Sequence, residues 1–465
     1  VNARVLRTEL RRSVAPWAGA VVLTGALAFL YLIDGSWWRG STAWTAQWTS
    51  LALWSRALLF YLWPLTVGLG ALQGLRDHRA GMPELLTSTP RPARHRAAVL
   101  TGATALTLVC ASAVLVLVGG VQVLGHSDYT HLRWLPISLV GVLFLVAGAV
   151  LGMGVARTLP SVITPPALAM AAFAFTVLMN ASLGRTQTTT SAGVTGSEPK
   201  RVSLLSPTVD EVHSVFVTLS AAVHVGQTLW LLGLAATGFA LLVATTARTR
   251  LLAVTPALAG AVLALLVLPS DPHRMYVVDT SAAAPVCDGP VCVARAHRTR
   301  LDDLAGPGKE ALRLLHRSLG DRAPDTVREN TAVPPDGTTP RWSRETVLFG
   351  FDDDLVREAK GEELTRALIA QGMAPGCTPV GWSSVGGDLY AQAVAVGWVL
   401  GDLKPFPAGE SENLRRQVDA QARPVWKKLE ALPRAEQLTR VNAMRTAALS
   451  CHGDAFDALK GGGSR

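Results

Sequence analysis

Seven stretches in the first 270 residues contain no Asp, Glu, Lys or Arg: 13–33, 57–75, 97–127, 134–156, 158–184, 212–247 and 251–270. Each approaches or exceeds the roughly 20 residues needed to cross a hydrocarbon core. Lipid offers no partner for backbone N–H and C=O groups, so such spans must be helices. One such stretch is compatible with a buried helix of a soluble protein; seven in succession argue against it. The expected fold class is a polytopic α-helical membrane protein with about seven transmembrane helices, followed by a mainly helical extracytoplasmic domain.

Charge divides the chain in the same place. Residues 1–270 hold 18 Lys and Arg against 8 Asp and Glu, whereas residues 271–465 hold 25 against 26. The whole +9 excess therefore belongs to the apolar part. That distribution reads as a topology signal and not as a nucleic-acid footprint. The expected domains are 1–270, a transmembrane domain, and 271–465, large enough to build its own core.

Orientation follows from the basic residues. With the N-terminus inside, the cytoplasmic side receives Arg4, Arg7, Arg11, Arg12, Arg76, Arg79, Arg91, Arg94, Arg96, Arg157, Arg248 and Arg250. The outer side receives Arg39, Arg133, Arg185, Lys200 and Arg201, with Arg56 at an outer helix end. The imbalance fits the positive-inside rule. Trp37, Trp38, Trp44, Trp48, Trp54 and Trp134 read as outer interface anchors. Seven spans then place residues 271–465 outside the cell membrane, in an oxidising compartment.

Cysteine usage agrees. Cys110 lies in the third apolar stretch, whereas Cys287, Cys292, Cys377 and Cys451 all lie in the polar half. An even set in an outside domain reads as two disulfides, with three connectivities open. The favoured pairing is Cys287 with Cys292 and Cys377 with Cys451. The rival is a metal site of Cys287, Cys292 and His297, although that spacing is not a usual zinc pattern.

The stretch 212–247 is too long for one simple span: as a straight helix it would measure about 54 Å. Ser206, Pro207, Asp210 and Glu211 read as a helix start. Two readings stand: a re-entrant outer helix joined to a span near Thr228, or one long protruding helix. His224 and Gln227 interrupt the apolar run and are candidate substrate-path residues, since polar groups inside a membrane are often functional. Their bland role is a hydrogen bond to a neighbouring helix. Residues 183–205 are Ser-, Thr- and Gly-rich and read as a mobile outer loop. In the polar half, helical patterns run over 301–319, 354–371, 387–403, 412–432 and 435–451, with a short strand over 346–351.

The search for chemistry is negative. The chain lacks GxxxxGK[ST], HExxH and GxSxG, so no catalytic residues, bound metal or cofactor are expected. Asp352-Asp353-Asp354 lacks the further spaced oxygens of a calcium loop.

The loop 75–96 carries more than a turn requires. Pro83 suits a first helical position, and Glu84 then sits near the positive end of a helix dipole. Leu85 and Leu86 give that short helix an apolar edge, and Pro90 ends it. The pattern Arg76-x-x-Arg79-x-Gly81-x-x-Glu84-Leu85-Leu86-x-x-x-Pro90-x-x-x-Arg94 resembles the cytoplasmic coupling loop of ABC-2 type transporter permeases. The resemblance covers about residues 1–250. It implies six spans with the N-terminus inside, an outer helical excursion between the fifth and sixth, and a separate ATPase subunit docked under the coupling helix. On that likeness Arg79, Gly81, Glu84, Leu85, Leu86, Pro90 and Arg94 bind the partner, and ATP and Mg²⁺ belong to the partner. Two permeases pair, as a homodimer or with a second permease. The stretch 251–268 and the domain after it depart from the family plan. The expected function is a permease subunit exporting an unidentified substrate. The rivals are a membrane-anchored extracytoplasmic receptor or binding protein, and a membrane-tethered hydrolase.

Overall fold

The computed structural model describes residues 10, 13–38, 40–79, 92–127, 129–181, 185–189, 195–208, 215–271, 274–333, 338–378, 386–404 and 412–461. The chain divides into two compact units, Val1–Val278 and Asp279–Arg465.

In the first unit, α1 (Ala15–Leu32) starts with Pro16 in its first turn, where the missing N–H removes no helical bond. Helices α2 (Trp48–Ala57) and α3 (Leu59–Gly74) meet at a 54° bend. The four-residue α4 (Arg76–Arg79) follows, then α5 (Ala93–His126), α6 (Trp134–Thr158) and α7 (Thr164–Ala181). Strands β1 (Arg185–Thr189) and β2 (Thr195–Pro199) form an antiparallel hairpin before a 3₁₀ turn over Arg201–Leu205. The unit continues with β3 (Val217–Leu219), α8 (Ala221–Val243), α9 (Ala247–Leu252) and α10 (Thr255–Val267). Strand β4 (Tyr276–Val278) pairs antiparallel with β3, which is why the first unit extends to Val278 and past the apolar sequence.

Among the described residues, six helical segments are long and apolar enough to cross a membrane: α1, α5, α6, α7, α8 and the α9–α10 run Ala247–Val267. The bent α2–α3 pair makes a seventh if read as one span. Outward faces are apolar: Leu117, Val121, Leu258 and Leu266 are 68%, 72%, 63% and 74% exposed. Broad apolar faces of this kind suit a hydrocarbon solvent. The structure thus supports a helical membrane-protein class. The second apolar stretch, 57–75, carries the single helix α3, and the bend near Leu58 joins it to α2, which precedes the stretch.

Helix α6 is the central element, with Ile137, Phe144, Ala147 and Met153 fully buried along it. Glycines let its neighbours approach. A Cβ on Gly152 would sit 2.1 Å from the Val67 carbonyl of α3, and one on Gly154 would sit 2.3 Å from the Gly238 carbonyl of α8. Small residues at such crossings bring backbones into contact where no hydrophobic drive exists between helices in lipid.

Four readings of the outer segments are corrected. Helix α8 begins at Ala221, so neither a single long helix over 212–247 nor a re-entrant helix at its start is present among the described residues; β3 occupies 217–219 instead. Ser206 does not cap a helix; its hydroxyl pairs with Thr208 Oγ1 at 3.1 Å. Asp210 and Glu211 lie outside the described residues. Residues 185–205 carry the hairpin and a 3₁₀ turn whose Leu204 and Leu205 are buried. Trp44, expected at the interface, is fully buried and packs against Gly119 of α5.

The second unit has a four-stranded sheet in the order β5 (Pro285–Asp288), β6 (Val291–Ala294), β7 (Thr326–Glu329), β8 (Thr346–Phe349). The β5–β6 pair is an antiparallel hairpin, and β6–β7 and β7–β8 are parallel. A parallel pair needs a crossover, supplied between β6 and β7 by α11 (Leu301–Leu319). Leu304, Ala311, Leu312 and Leu315 recur at helical spacing and form its buried face. Helices α12 (Gly361–Met373), α13 (Gly386–Leu400), α14 (Glu412–Glu430), α15 (Arg434–Ser450) and α16 (Ala455–Lys460) complete the unit around one apolar core. Helix α12 starts later than its sequence pattern suggests because residues 351–358 form turns around Asp353.

Candidate functional site

Arg56 is the only arginine among the largest fully buried side chains of the described residues, at 1% exposure. It lies on the last turn of α2, on the same face as Ala52 and Leu53, which are also buried. Gly141 of α6 makes room for its stem, since a Cβ there would lie 2.9 Å from Arg56 Cδ. The guanidinium carbon stands 5.1 Å from the centre of the Phe144 ring.

The head group holds a polar node together. Arg56 Nε donates to the Pro207 carbonyl at 3.1 Å, and Nη2 donates to Gln227 Oε1 at 3.0 Å. Gln227 Nε2 donates in turn to the Leu204 carbonyl at 2.9 Å. Nearby, Trp230 Nε1 donates to the Leu205 carbonyl and Asn180 Nδ2 to Thr208 Oγ1. The segment 201–208 is thereby stitched to α2, α7 and α8. Every acceptor of Arg56 is neutral, and among the described residues no carboxylate pairs with it.

One nitrogen remains. Arg56 Nη1, Ser55 Oγ and Ser138 Oγ are buried and have no hydrogen-bond partner among the described residues. All three residues line one cavity of about 50 Å³ between α1, α2, α3, α5 and α6. Apart from these and Ser112, its walls are apolar, with Val22, Leu62 and Leu145 among them. A buried charge and two buried hydroxyls without partners among the described residues, on residues that line one small apolar cavity, make this the candidate site.

The sequence-derived site residues fall in different places. Arg79 ends α4 and Arg94 lies in the first turn of α5, both exposed. Gly81, Glu84, Leu85, Leu86 and Pro90 lie outside the described residues. Gln227 is buried and committed to Arg56 and Leu204, while His224, one turn earlier on α8, is half-buried. Neither lines the cavity. Arg56, counted as an outer helix-end charge, is instead the centre of the node. The only sequence signal for it was a lone arginine interrupting apolar sequence. Ser55 and Ser138 gave no signal, because serines are common in apolar helices.

In the second unit both favoured disulfides are present. Cys287–Cys292 joins directly opposed residues of the β5–β6 hairpin, with Cα atoms 4.1 Å apart. Cys377–Cys451 ties the segment after α12 to the end of α15. The rival metal set is excluded, since both sulfurs are bonded to each other and His297 Nδ1 lies 2.6 Å from Glu329 Oε1. Among the described residues no group of three or more His, Cys, Asp or Glu is placed to hold a metal. The acidic triplet is structural: Asp353 accepts from the Leu355 N–H at 2.8 Å and from Gln371 Nε2 at 2.7 Å. Burial pushes its carboxyl above the ordinary aspartate range.

Comparison with family models, with curated proteins and with solved structures finds no match to this chain.

Proposed function

We propose that this chain is the membrane-spanning permease subunit of an ABC-type transporter, driven by a separate ATPase that docks on the loop 81–90. The observation that carries the reading is the position of that loop. It runs from the exposed Arg79 to the exposed Arg94, between the bent α2–α3 pair with its short α4 and the long apolar α5. Two leucines in a short basic loop need a cover, and a partner protein supplies one. The chain contributes no nucleotide motif, so ATP and Mg²⁺ belong to the partner. Two such permeases pair, as a homodimer or with a second permease. The substrate is exported.

The same reading places the N-terminus in the cytoplasm and residues 271–465 outside the plasma membrane. Twelve basic residues on one side and two disulfides in the second unit support it. Protease added to intact cells then removes the second unit; a protected unit overturns the orientation.

The docking test is the double substitution Leu85→Asp, Leu86→Asp. The expected result is normal insertion and loss of a co-purifying ATPase. Burying two leucines contributes roughly 3–6 kcal/mol before association costs. A mutant that retains both its ATPase and its transport overturns the permease reading. The alternative reading, a membrane-anchored receptor, is favoured by the separate core and disulfides of the second unit. It takes over if no ATPase co-purifies with the wild-type chain and the second unit binds a ligand.

A further inference from the structure

We propose that the cavity beside Arg56 binds the carboxylate head of an amphipathic anion of the fatty-acid type. A guanidinium does not lose its proton in proteins, so the site carries a full positive charge. Its two hydrogen bonds go to neutral oxygens of Pro207 and Gln227, and among the described residues no carboxylate compensates the charge. An uncompensated cation in an apolar bundle is costly, and such residues mark ligand or ion sites.

The donors match the head group. Arg56 Nη1, Ser55 Oγ and Ser138 Oγ are three buried groups without a hydrogen-bond partner among the described residues, and all three residues line one cavity. An ionised carboxylate offers about four lone-pair positions on two oxygens. It can accept from all three donors and neutralise the arginine. A neutral ligand satisfies hydrogen bonds without cancelling the charge.

The cavity also selects the rest of the molecule. Its small volume of about 50 Å³ favours the compact carboxylate over a bulkier head group. Beyond the polar end the walls are Val22, Leu23, Leu115 and Val116. Leu23 of α1 and Val116 of α5 are half-exposed, so the mostly apolar end of the cavity approaches the surface between these helices.

The inference does not depend on an ATPase partner. It is tested on the purified full chain in non-ionic detergent, with radiolabelled dodecanoate as probe and with dodecanol and acetate as competitors. One saturable dodecanoate site per chain is expected, with neither competitor matching unlabelled dodecanoate. Arg56→Gln should weaken binding about tenfold or more, as expected for loss of a charged hydrogen bond. Ser138→Leu should do the same by filling the cavity while Arg56 remains, which keeps the test valid if Arg56→Gln does not fold. Equal competition by dodecanol would show a merely apolar pocket, and equal competition by acetate a small-anion site; either overturns the proposal. So does an absence of saturable binding, or unchanged binding in the folded variants. None of these outcomes bears on co-purification of an ATPase, so the two readings fail separately.

Discussion

Arg56 Nη2 donates to Gln227 Oε1 at 3.0 Å, joining α2 to α8 across 171 residues of sequence. Gln227 also donates to the Leu204 carbonyl, so one amide satisfies both a buried charge and a buried backbone oxygen. Gln227→Leu should therefore lower the stability of the bundle by about 2 kcal/mol or more, because the lost partner is charged. Thermal retention of the monodisperse full chain in detergent measures this. Gln227→Glu should restore or raise it by pairing the arginine directly.

Backbone contact at the α6–α8 crossing makes a sharp contrast between two glycines. A Cβ on Gly238 would lie 2.4 Å from the Val150 carbonyl, whereas one on Gly102 would meet nothing within 4 Å. Gly238→Ala should destabilise the bundle by about 1–3 kcal/mol through overpacking. Gly102→Ala should be neutral or slightly stabilising, since alanine is the better helix former. The yield and melting temperature of the two variants decide it.

In the second unit Arg445 is 6% exposed and binds three backbone carbonyls: Gly372 at 3.2 Å, Arg344 at 2.9 Å, and Arg322. It holds α12 and two loops to α15. Arg445→Met should cost the unit about 2–4 kcal/mol, as hydrogen bonds to charged groups do. Hydrogen exchange in the full chain should show lost protection in α12 and α15. Unchanged protection would mean the loops hold themselves.

Asp353 gives a pH-dependent expectation. Burial, the largest cause, raises its carboxyl above the ordinary value of 3.8. Between 3.8 and the raised value the folded chain keeps a proton that the unfolded chain releases. Stability of the second unit therefore falls as pH rises through that window and stays lower above it. Asp353→Asn should be more stable than the parent at neutral pH, with the difference vanishing below the window. Hydrogen-exchange protection of α12, corrected for intrinsic rates, reads the difference.

Local signals carried much of the fold. The absence of charge over 97–127 and 134–156 located α5 and α6, because a hydrocarbon span needs only length and composition. The pattern over 301–319 marked α11 to the residue, since its apolar face repeats at helical period. The sheet was less legible. Strands β5, β6 and β7 are four residues each, and a run that short has no period of its own to show.

The sequence by itself determined the apolar and polar halves, the four cysteines available for pairing, and the basic loop between the second and third spans. It did so because these are properties of composition and neighbouring residues. Tertiary structure alone decided that Arg56 is buried, that Gln227 serves it, and that Ser55 and Ser138 converge with it on one cavity. The partners of Arg56 stand 151 and 171 residues away along the chain. No local pattern reports such a pairing, because its energy exists only once the helices have packed and water has been excluded from the charge.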